Sequence, residues 1–171
     1  MKVLQEHIFL IGFMGVGKTS TSRELSKQLQ VEEVDTDALI VKQEGMSINE
    51  IFAEKGEEYF RQTETALLES LKDRKPCIIS CGGGMVMREV NVQKMKEQGR
   101  IYLLTASPET IYEHVKYSKD RPLLNGNMNV PYITELMKAR EPKYLAAADV
   151  VIETDGCTPF QVAEKLIAHL K

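Results

Sequence analysis

Short apolar runs alternate along the chain with longer segments in which apolar residues recur at helical spacing. The apolar runs predict strands at residues 7–11, 31–34, 77–81, 100–104 and 149–152. The segments between them predict helices at residues 18–30, 38–44, 57–71, 88–98, 108–115, 131–147 and 159–170, with a further helix beginning after Ser47. Because strands and helices alternate, the sequence predicts an α/β domain whose mainly parallel sheet is covered on both faces.

Local signals refine this pattern at particular positions. Ser47, followed three residues later by Glu50, has the spacing of a capping box and predicts a helix start. In the helix predicted at 57–71, one face carries Phe60, Thr63 or Glu64, Leu67 and Leu71. Residues 117–130 contain few apolar side chains and the sequence Asn125-Gly126-Asn127, which predicts a mobile loop or lid.

Composition narrows the class of protein. The chain has 171 residues, 43% of them hydrophobic and 27% charged, which predicts one folded domain over residues 1–171. A net charge of -3 provides no basic excess for a nucleic-acid partner, and no apolar run is long enough to span a membrane. The cysteines are Cys77, Cys81 and Cys157, without a C-x-x-C pair, which favours reduced thiols over a zinc site. With no targeting signal in view, we expect a cytoplasmic protein.

A phosphate-binding motif lies between the first predicted strand and the first predicted helix. Residues 12–19, Gly-Phe-Met-Gly-Val-Gly-Lys-Thr, match the pattern G-x-x-x-x-G-K-[ST]. In such a loop, successive N–H groups and the positive end of the helix dipole face the phosphates of ATP. The predicted ATP-binding residues of the loop are Gly12, Gly15, Val16, Gly17, Lys18, Thr19 and Ser20. Lys18 would bridge the β- and γ-phosphates, and the Thr19 hydroxyl would bind Mg²⁺.

The sequence Asp35-Thr36-Asp37 ends the second predicted strand, at the sheet edge where ligands of parallel sheets bind. Residues two apart on an extended chain point the same way, so both carboxylates would face the ligand. One would hold the water shell of Mg²⁺, and the other would accept a hydrogen bond and a proton from an acceptor hydroxyl. Capping of the next helix by Asp35 or Asp37 is an equal alternative.

Further candidates for ligand binding are arginines and glycines spread along the chain. Arg61 and Arg140 can each pair bidentately with a carboxylate, and Glu64 lies one helical turn after Arg61, where it can orient the guanidinium. The alternative for each arginine is a solvated surface charge. Three consecutive glycines, Gly82, Gly83 and Gly84, exceed what a turn requires and suggest close approach of a ligand to the backbone, with a plain flexible loop as the alternative. Arg121 opens the lid-like segment and can close over the γ-phosphate, with a simple surface charge beside a proline turn as the alternative.

Taken together, these motifs resemble the shikimate kinases. The resemblance is carried by residues 12–19, 35–37, 56–61 (Gly-Glu-Glu-Tyr-Phe-Arg), 82–84, 121–124 (Arg-Pro-Leu-Leu), and Arg140 with Tyr144. It implies the three-layer P-loop fold of the nucleoside monophosphate kinases, with a five-stranded parallel sheet, a substrate-binding helical region at about 38–66 and a lid at about 116–130. It also implies a monomer that transfers the γ-phosphoryl group of ATP to the 3-hydroxyl of shikimate.

The resemblance implies specific roles for single residues. Arg61, Arg140 and the backbone of Gly82, Gly83 and Gly84 would bind shikimate, and Asp37 would hold its hydroxyls and act as base. Thr19 would bind Mg²⁺ directly and Asp35 would do so through water. Lys18 and Arg121 would stabilise the transferring phosphoryl group, Pro159 would pack on adenine, and Phe52 and Phe60 would pack around the substrate ring.

The sequence departs from the family pattern at two places. His114 stands where an arginine usually stacks on adenine, and Cys81 stands where a threonine often precedes the glycines, which leaves Ser80 as the nearby hydroxyl. Two rival functions remain open from the residues themselves. One is a P-loop kinase for another small acceptor, such as a nucleotide or gluconate. The other is a non-catalytic binding domain. Such a domain would be expected to have lost one of four residues that are all present here, which are Lys18, Asp37, Arg61 and Arg140.

Overall fold

The computed structural model describes residues 3–116 and 129–170. The strands are β1 (His7–Ile11), β2 (Glu33–Asp35), β3 (Ile78–Ser80), β4 (Gly99–Thr105) and β5 (Val150–Glu153). The helices are α1 (Lys18–Leu29), α2 (Thr36–Glu44), α3 (Ile48–Lys55), α4 (Glu57–Leu71), α5 (Glu89–Gln98), α6 (Pro108–Val115), α7 (Val130–Ala147) and α8 (Pro159–Ile167), with a 3₁₀ helix at Met85–Met87. Of the lid predicted at about 116–130, residues 117–128 lie outside the described residues, and so does Arg121, while Val130 already begins α7.

The five strands form one parallel sheet in the order β2-β3-β1-β4-β5. Every residue of the central strand β1 is buried. Because alternate side chains of a strand point to opposite faces, helices must cover both faces of the sheet. Helices α1 and α8 pack on each other, and α4, α5, α6 and α7 form a second connected group. The predicted α/β class and five-stranded parallel sheet are confirmed.

Two apolar clusters stabilise the described residues. The main core surrounds the sheet, with Phe9, Leu10 and Ile79 fully buried. A smaller cluster joins α2, α3 and α4 through Ile40, Ile51 and Phe60. These three helices therefore have apolar packing of their own beside the main core.

Several element boundaries differ from the prediction by a few residues. The second strand is Glu33–Asp35 rather than 31–34, and the last helix ends at Ile167 rather than 170. On α4, Leu68 and the predicted Leu71 reach the main core, while Leu67 packs on the smaller cluster. The Ser47 capping box is present as predicted, with the Ser47 side chain accepting from the Glu50 N–H at 3.1 Å. None of the helices described is both long and apolar enough to cross a bilayer.

Candidate active site

A cleft of about 680 Å³ opens at the carboxyl ends of the strands. The strand order reverses around β1 while all five strands stay parallel, so the loop after β1 reaches the centre of this edge. The predicted residues that line the cleft are Gly15, Val16, Gly17, Lys18, Thr19, Ser20, Asp35, Asp37, Gly82, Gly83 and Pro159. Residues brought together from four separate segments therefore share one cavity.

The loop from β1 to α1 is shaped to accept an anion. Gly17 adopts φ 101° at the N-cap of α1 and has no side chain with which to cap the first-turn amides of that helix. Gly15 has φ 83°, and a Cβ there would lie 2.5 Å from a methyl carbon of Val115 on α6. The Lys18 ammonium donates to the carbonyl oxygens of Gly12 at 2.8 Å and Phe13 at 3.4 Å. The Lys18 ammonium is thus held against the same loop as the amides.

The Asp35-Thr36-Asp37 segment lies at the cleft, but the geometric reason given from sequence is wrong. Asp35 ends β2 and Thr36 already begins α2, so the two aspartates are not on an extended chain. Asp35 caps α2 by accepting from the Ala38 N–H at 3.0 Å, and it also lines the cleft. The sequence presented helix capping and a place at the ligand as alternatives, but Asp35 caps α2 and lines the cleft at the same time.

Thr36 has a structural role that sequence reasoning missed. Its side chain is fully buried, and its hydroxyl accepts from the Gly82 N–H at 3.0 Å. This bond joins the start of α2 to the loop after β3. The motif places two charged residues around Thr36, and only the fold shows that the middle residue fixes the glycine loop.

The three glycines each face a charged side chain. An added Cβ would lie 2.6 Å from Asp37 Oδ1 at Gly82, 2.8 Å from Arg140 Nη1 at Gly83, and 2.5 Å from Arg61 Nη1 at Gly84. The backbone of Gly84 has φ −97°, which any residue adopts, so the glycine is required for space. Sequence reasoning expected a ligand to approach these glycines. Among the described residues, two arginines and one aspartate of the predicted site approach them instead.

Arg61 is oriented by Glu64, as the helical spacing predicted. The distance from Arg61 Nη1 to Glu64 Oε1 is 2.8 Å, and the Arg61 side chain is only 20% exposed, so it is not a solvated surface arginine. Glu64 is fully buried. Burial raises the pKa of Glu64 to about 7, and the neighbouring Arg61 opposes that shift. The second carboxyl oxygen of Glu64 has no hydrogen-bond partner among the described residues.

At the other end of the cleft, α6 meets the loop before α8. His114 Nδ1 donates to the Gly15 carbonyl at 2.5 Å, so the imidazole rests on the phosphate loop. Pro159 begins α8 and lines the same end of the cleft. Sequence reasoning missed the other lining residues at this end, which are Thr154, Cys157 and Val162. They are small side chains without a motif, and no sequence signal marks them.

Some predicted neighbours of the ligand lie elsewhere. Phe52 and Phe60 form an edge-to-face pair with ring centroids 5.1 Å apart, and Phe60 is buried in the smaller cluster. Neither lines the cleft, whereas Ser47, Ile48 and Asn49 at the start of α3 do. Ser80 and Cys81 also line it. Burial raises the pKa of the Cys81 thiol, so this wall of the cleft is neutral.

The chain is similar in sequence and in structure to proteins of known activity. The sequence model of the family "Shikimate kinase" matches residues 14–171. A shikimate kinase of Thermodesulfovibrio yellowstonii is 42% identical over 162 residues, covering 95% of this chain and 93% of that protein. The solved shikimate kinase from Acinetobacter baumannii in complex with shikimate has a TM-score of 0.89 and 33% identity, covering 95% of this chain and 90% of that one.

A solved gluconokinase from Sinorhizobium meliloti is also similar in structure. Its TM-score is 0.60 and its identity 13%, over 98% of this chain and 92% of that one. At this identity the likeness shows a shared fold and does not extend to the acceptor. The family model and the full-length relatives agree with each other: the chain belongs to the shikimate kinase family, whose members use ATP to phosphorylate a hydroxyl group of shikimate.

Proposed function

We propose that the chain transfers the γ-phosphoryl group of ATP to the 3-hydroxyl of shikimate, with Mg²⁺ bound beside the phosphates. One observation carries this assignment beyond family membership. The tripeptide Gly82–Gly84 gathers Asp37, Arg140 and Arg61, one to each glycine, beside the cleft that the phosphate-binding loop also lines. Two cations and a carboxylate in one place suit an acceptor that carries one carboxylate and several hydroxyls.

Arg61 and Arg140 bind the carboxylate of shikimate in this proposal. A guanidinium presents two parallel N–H donors to a carboxylate, and both guanidinium groups are set against glycine backbone. Asp37 lies on the Gly82 side of the same loop, where it binds ring hydroxyls and accepts the proton of the attacking 3-hydroxyl. The main contribution of these residues is to position the hydroxyl, since phosphoryl transfer requires little base strength.

The phosphate loop holds the other substrate. The N–H groups of Gly15 to Ser20 and the Lys18 ammonium surround the β- and γ-phosphates. Gly12 begins the loop and allows the backbone conformation that this arrangement requires. The Thr19 hydroxyl faces the cleft together with the Asp35 carboxylate. Both are hard oxygen donors, and no cluster of three or more His, Cys, Asp or Glu is found in the described ranges, which suits Mg²⁺ held largely by phosphates and water. When bound, Mg²⁺ neutralises charge on the transferring group.

We assign the adenine end of the cleft to His114 and Pro159, which line it from α6 and α8. Arg121 is assigned to the γ-phosphate from its place in the sequence and from the family resemblance. The smaller apolar cluster of α2, α3 and α4 supports a substrate-binding region at about 38–66 within a single domain. A monomeric state stays a prediction of the resemblance, and a cytoplasmic location stays a prediction of the sequence. The elution volume of the purified chain tests the first.

The test is shikimate-dependent release of ADP by the purified chain in the presence of ATP and Mg²⁺. Gluconate and nucleoside monophosphates serve as alternative acceptors, and a chelator removes the metal. We expect turnover with shikimate only, and its loss on chelation. ADP release with gluconate in place of shikimate would overturn the acceptor. Binding of both ATP and shikimate without turnover would favour the non-catalytic domain.

Substitutions test the assigned roles. Arg61→Ala should lower kcat/KM for shikimate by about 100-fold or more, because the carboxylate of shikimate loses one of the two guanidinium groups that bind it. Asp37→Asn should lower kcat by about 100-fold, through orientation and proton transfer together. The matched control is Arg74→Ala, which removes an arginine paired with Glu32 away from the cleft. Near-normal turnover of Asp37→Asn would contradict its role.

A further inference from the structure

Tyr144 lies between the two loops that form the site, although no role was assigned to it. It is on α7, one helical turn after Arg140, and its side chain is 5% exposed. Its hydroxyl donates to the Gly83 carbonyl at 2.7 Å, and the Gly12 carbonyl lies 3.4 Å away. The Gly12 carbonyl also accepts from Lys18 at 2.8 Å. A continuous set of contacts thus runs from Lys18 through Gly12 and Tyr144 to Gly83.

The glycine loop depends on Tyr144 at its middle residue. The carbonyls of Gly82 and Gly84 accept from the nearby backbone amides of Met85 and Met87, each at 3.1 Å. These bonds are local and do not fix the loop relative to another element. The Gly83 carbonyl instead accepts from the Tyr144 side chain of α7. Gly83 is also the glycine against which the Arg140 guanidinium packs.

We propose that Tyr144 is a positioning residue that fixes the Gly83 segment, and with it the seat of Arg140, relative to the phosphate-binding loop. The inference rests on the proposed function, because it concerns the distance between acceptor and donor in that reaction. Burial raises the pKa of the Tyr144 phenol, so the hydroxyl keeps the proton that it donates. The ring of Tyr144 packs in the main core, and the Arg140 guanidinium is also a hydrogen-bond neighbour of the hydroxyl that opposes this rise in pKa.

The contacts predict an asymmetric effect on the two substrates. Tyr144→Phe keeps the ring and its packing and removes only the hydroxyl. The Gly12 carbonyl then retains Lys18, whereas the Gly83 carbonyl loses its side-chain donor. The KM for shikimate should therefore rise about 5- to 10-fold, as expected for one lost hydrogen bond, while the KM for ATP changes less than about twofold.

The experiment compares Tyr144→Phe with Tyr102→Phe in steady-state assays, varying shikimate and ATP separately, alongside thermal unfolding. Tyr102 is also buried, but it lies on β4 and does not line the cleft. A rise in shikimate KM confined to Tyr144→Phe supports the inference. Values within twofold of wild type, or equal rises in both KM values, overturn it and leave the proposed function standing. A wild-type chain without shikimate-dependent turnover overturns both.

Discussion

Replacing Gly84 by alanine tests the idea that the glycine loop seats the carboxylate clamp. The new Cβ would lie 2.5 Å from Nη1 of Arg61 and 2.8 Å from both its Cζ and its Nη2. Carbon and nitrogen atoms pack at about 3.5 Å, so the guanidinium must move by about 1 Å. It can move because it ends a flexible side chain. The expected damage is therefore to the position of Arg61 and leaves the fold intact.

The magnitude follows from the precision that the clamp requires. A displacement of about 1 Å in a substrate-positioning group costs up to about 100-fold in rate. We expect kcat/KM for shikimate to fall about 10- to 100-fold, with the KM for ATP within about twofold of wild type. Gly84 has φ −97°, so alanine is unstrained, and the free energy of unfolding should stay within about 1 kcal/mol of wild type.

A second glycine supplies the matched control. Gly45 ends α2 with φ 72° and has open space around it, so Gly45→Ala strains the backbone without touching the clamp. This variant should lose about 1 kcal/mol of stability and keep its shikimate KM. The assay is steady-state kinetics with each substrate varied, paired with denaturant unfolding. If Gly84→Ala has wild-type kinetics, the glycine is not required as the seat of Arg61, and the reasoning fails.

Two further predictions concern buried polar groups. The pKa of Glu64 is raised by burial from 4.5 to about 7, so the folded state keeps a proton that the unfolded state has released between those values. The free energy of unfolding of wild type should therefore fall relative to that of Glu64→Gln as pH rises from 4.5 to 7, by up to about 3 kcal/mol. Denaturant unfolding across this pH range measures the difference. Parallel pH profiles for the two chains would contradict the prediction. Thr36→Val should cost about 1 kcal/mol, because the half-buried Gly82 N–H loses its acceptor. Thr36→Ser should restore most of that loss, and a Thr36→Val chain as stable as wild type would contradict the assigned bond.

Much of the fold was predictable because its signals are local. The strands and helices follow from apolar runs and helical spacing, and the Ser47 capping box was placed by two residues three apart. The boundaries shifted where two signals overlapped. Asp35 ends a strand and caps a helix at once, so the chain turns earlier than the sequence alone suggested. Two apolar clusters flank α4, so Leu68 packs in the main core and Leu67 packs on the smaller cluster.

Spacing along short segments was enough to predict the phosphate-loop motif, the charged candidates for the site and the pairing of Arg61 with Glu64. Three contacts became visible only in the folded chain: Thr36 binds the Gly82 N–H, each glycine lies against a different charged side chain, and Tyr144 reaches the Gly83 carbonyl. Gly83 and Tyr144 are 61 residues apart along the chain. Such contacts depend on how the helices pack around the sheet, and the spacing of residues within one segment cannot predict that packing.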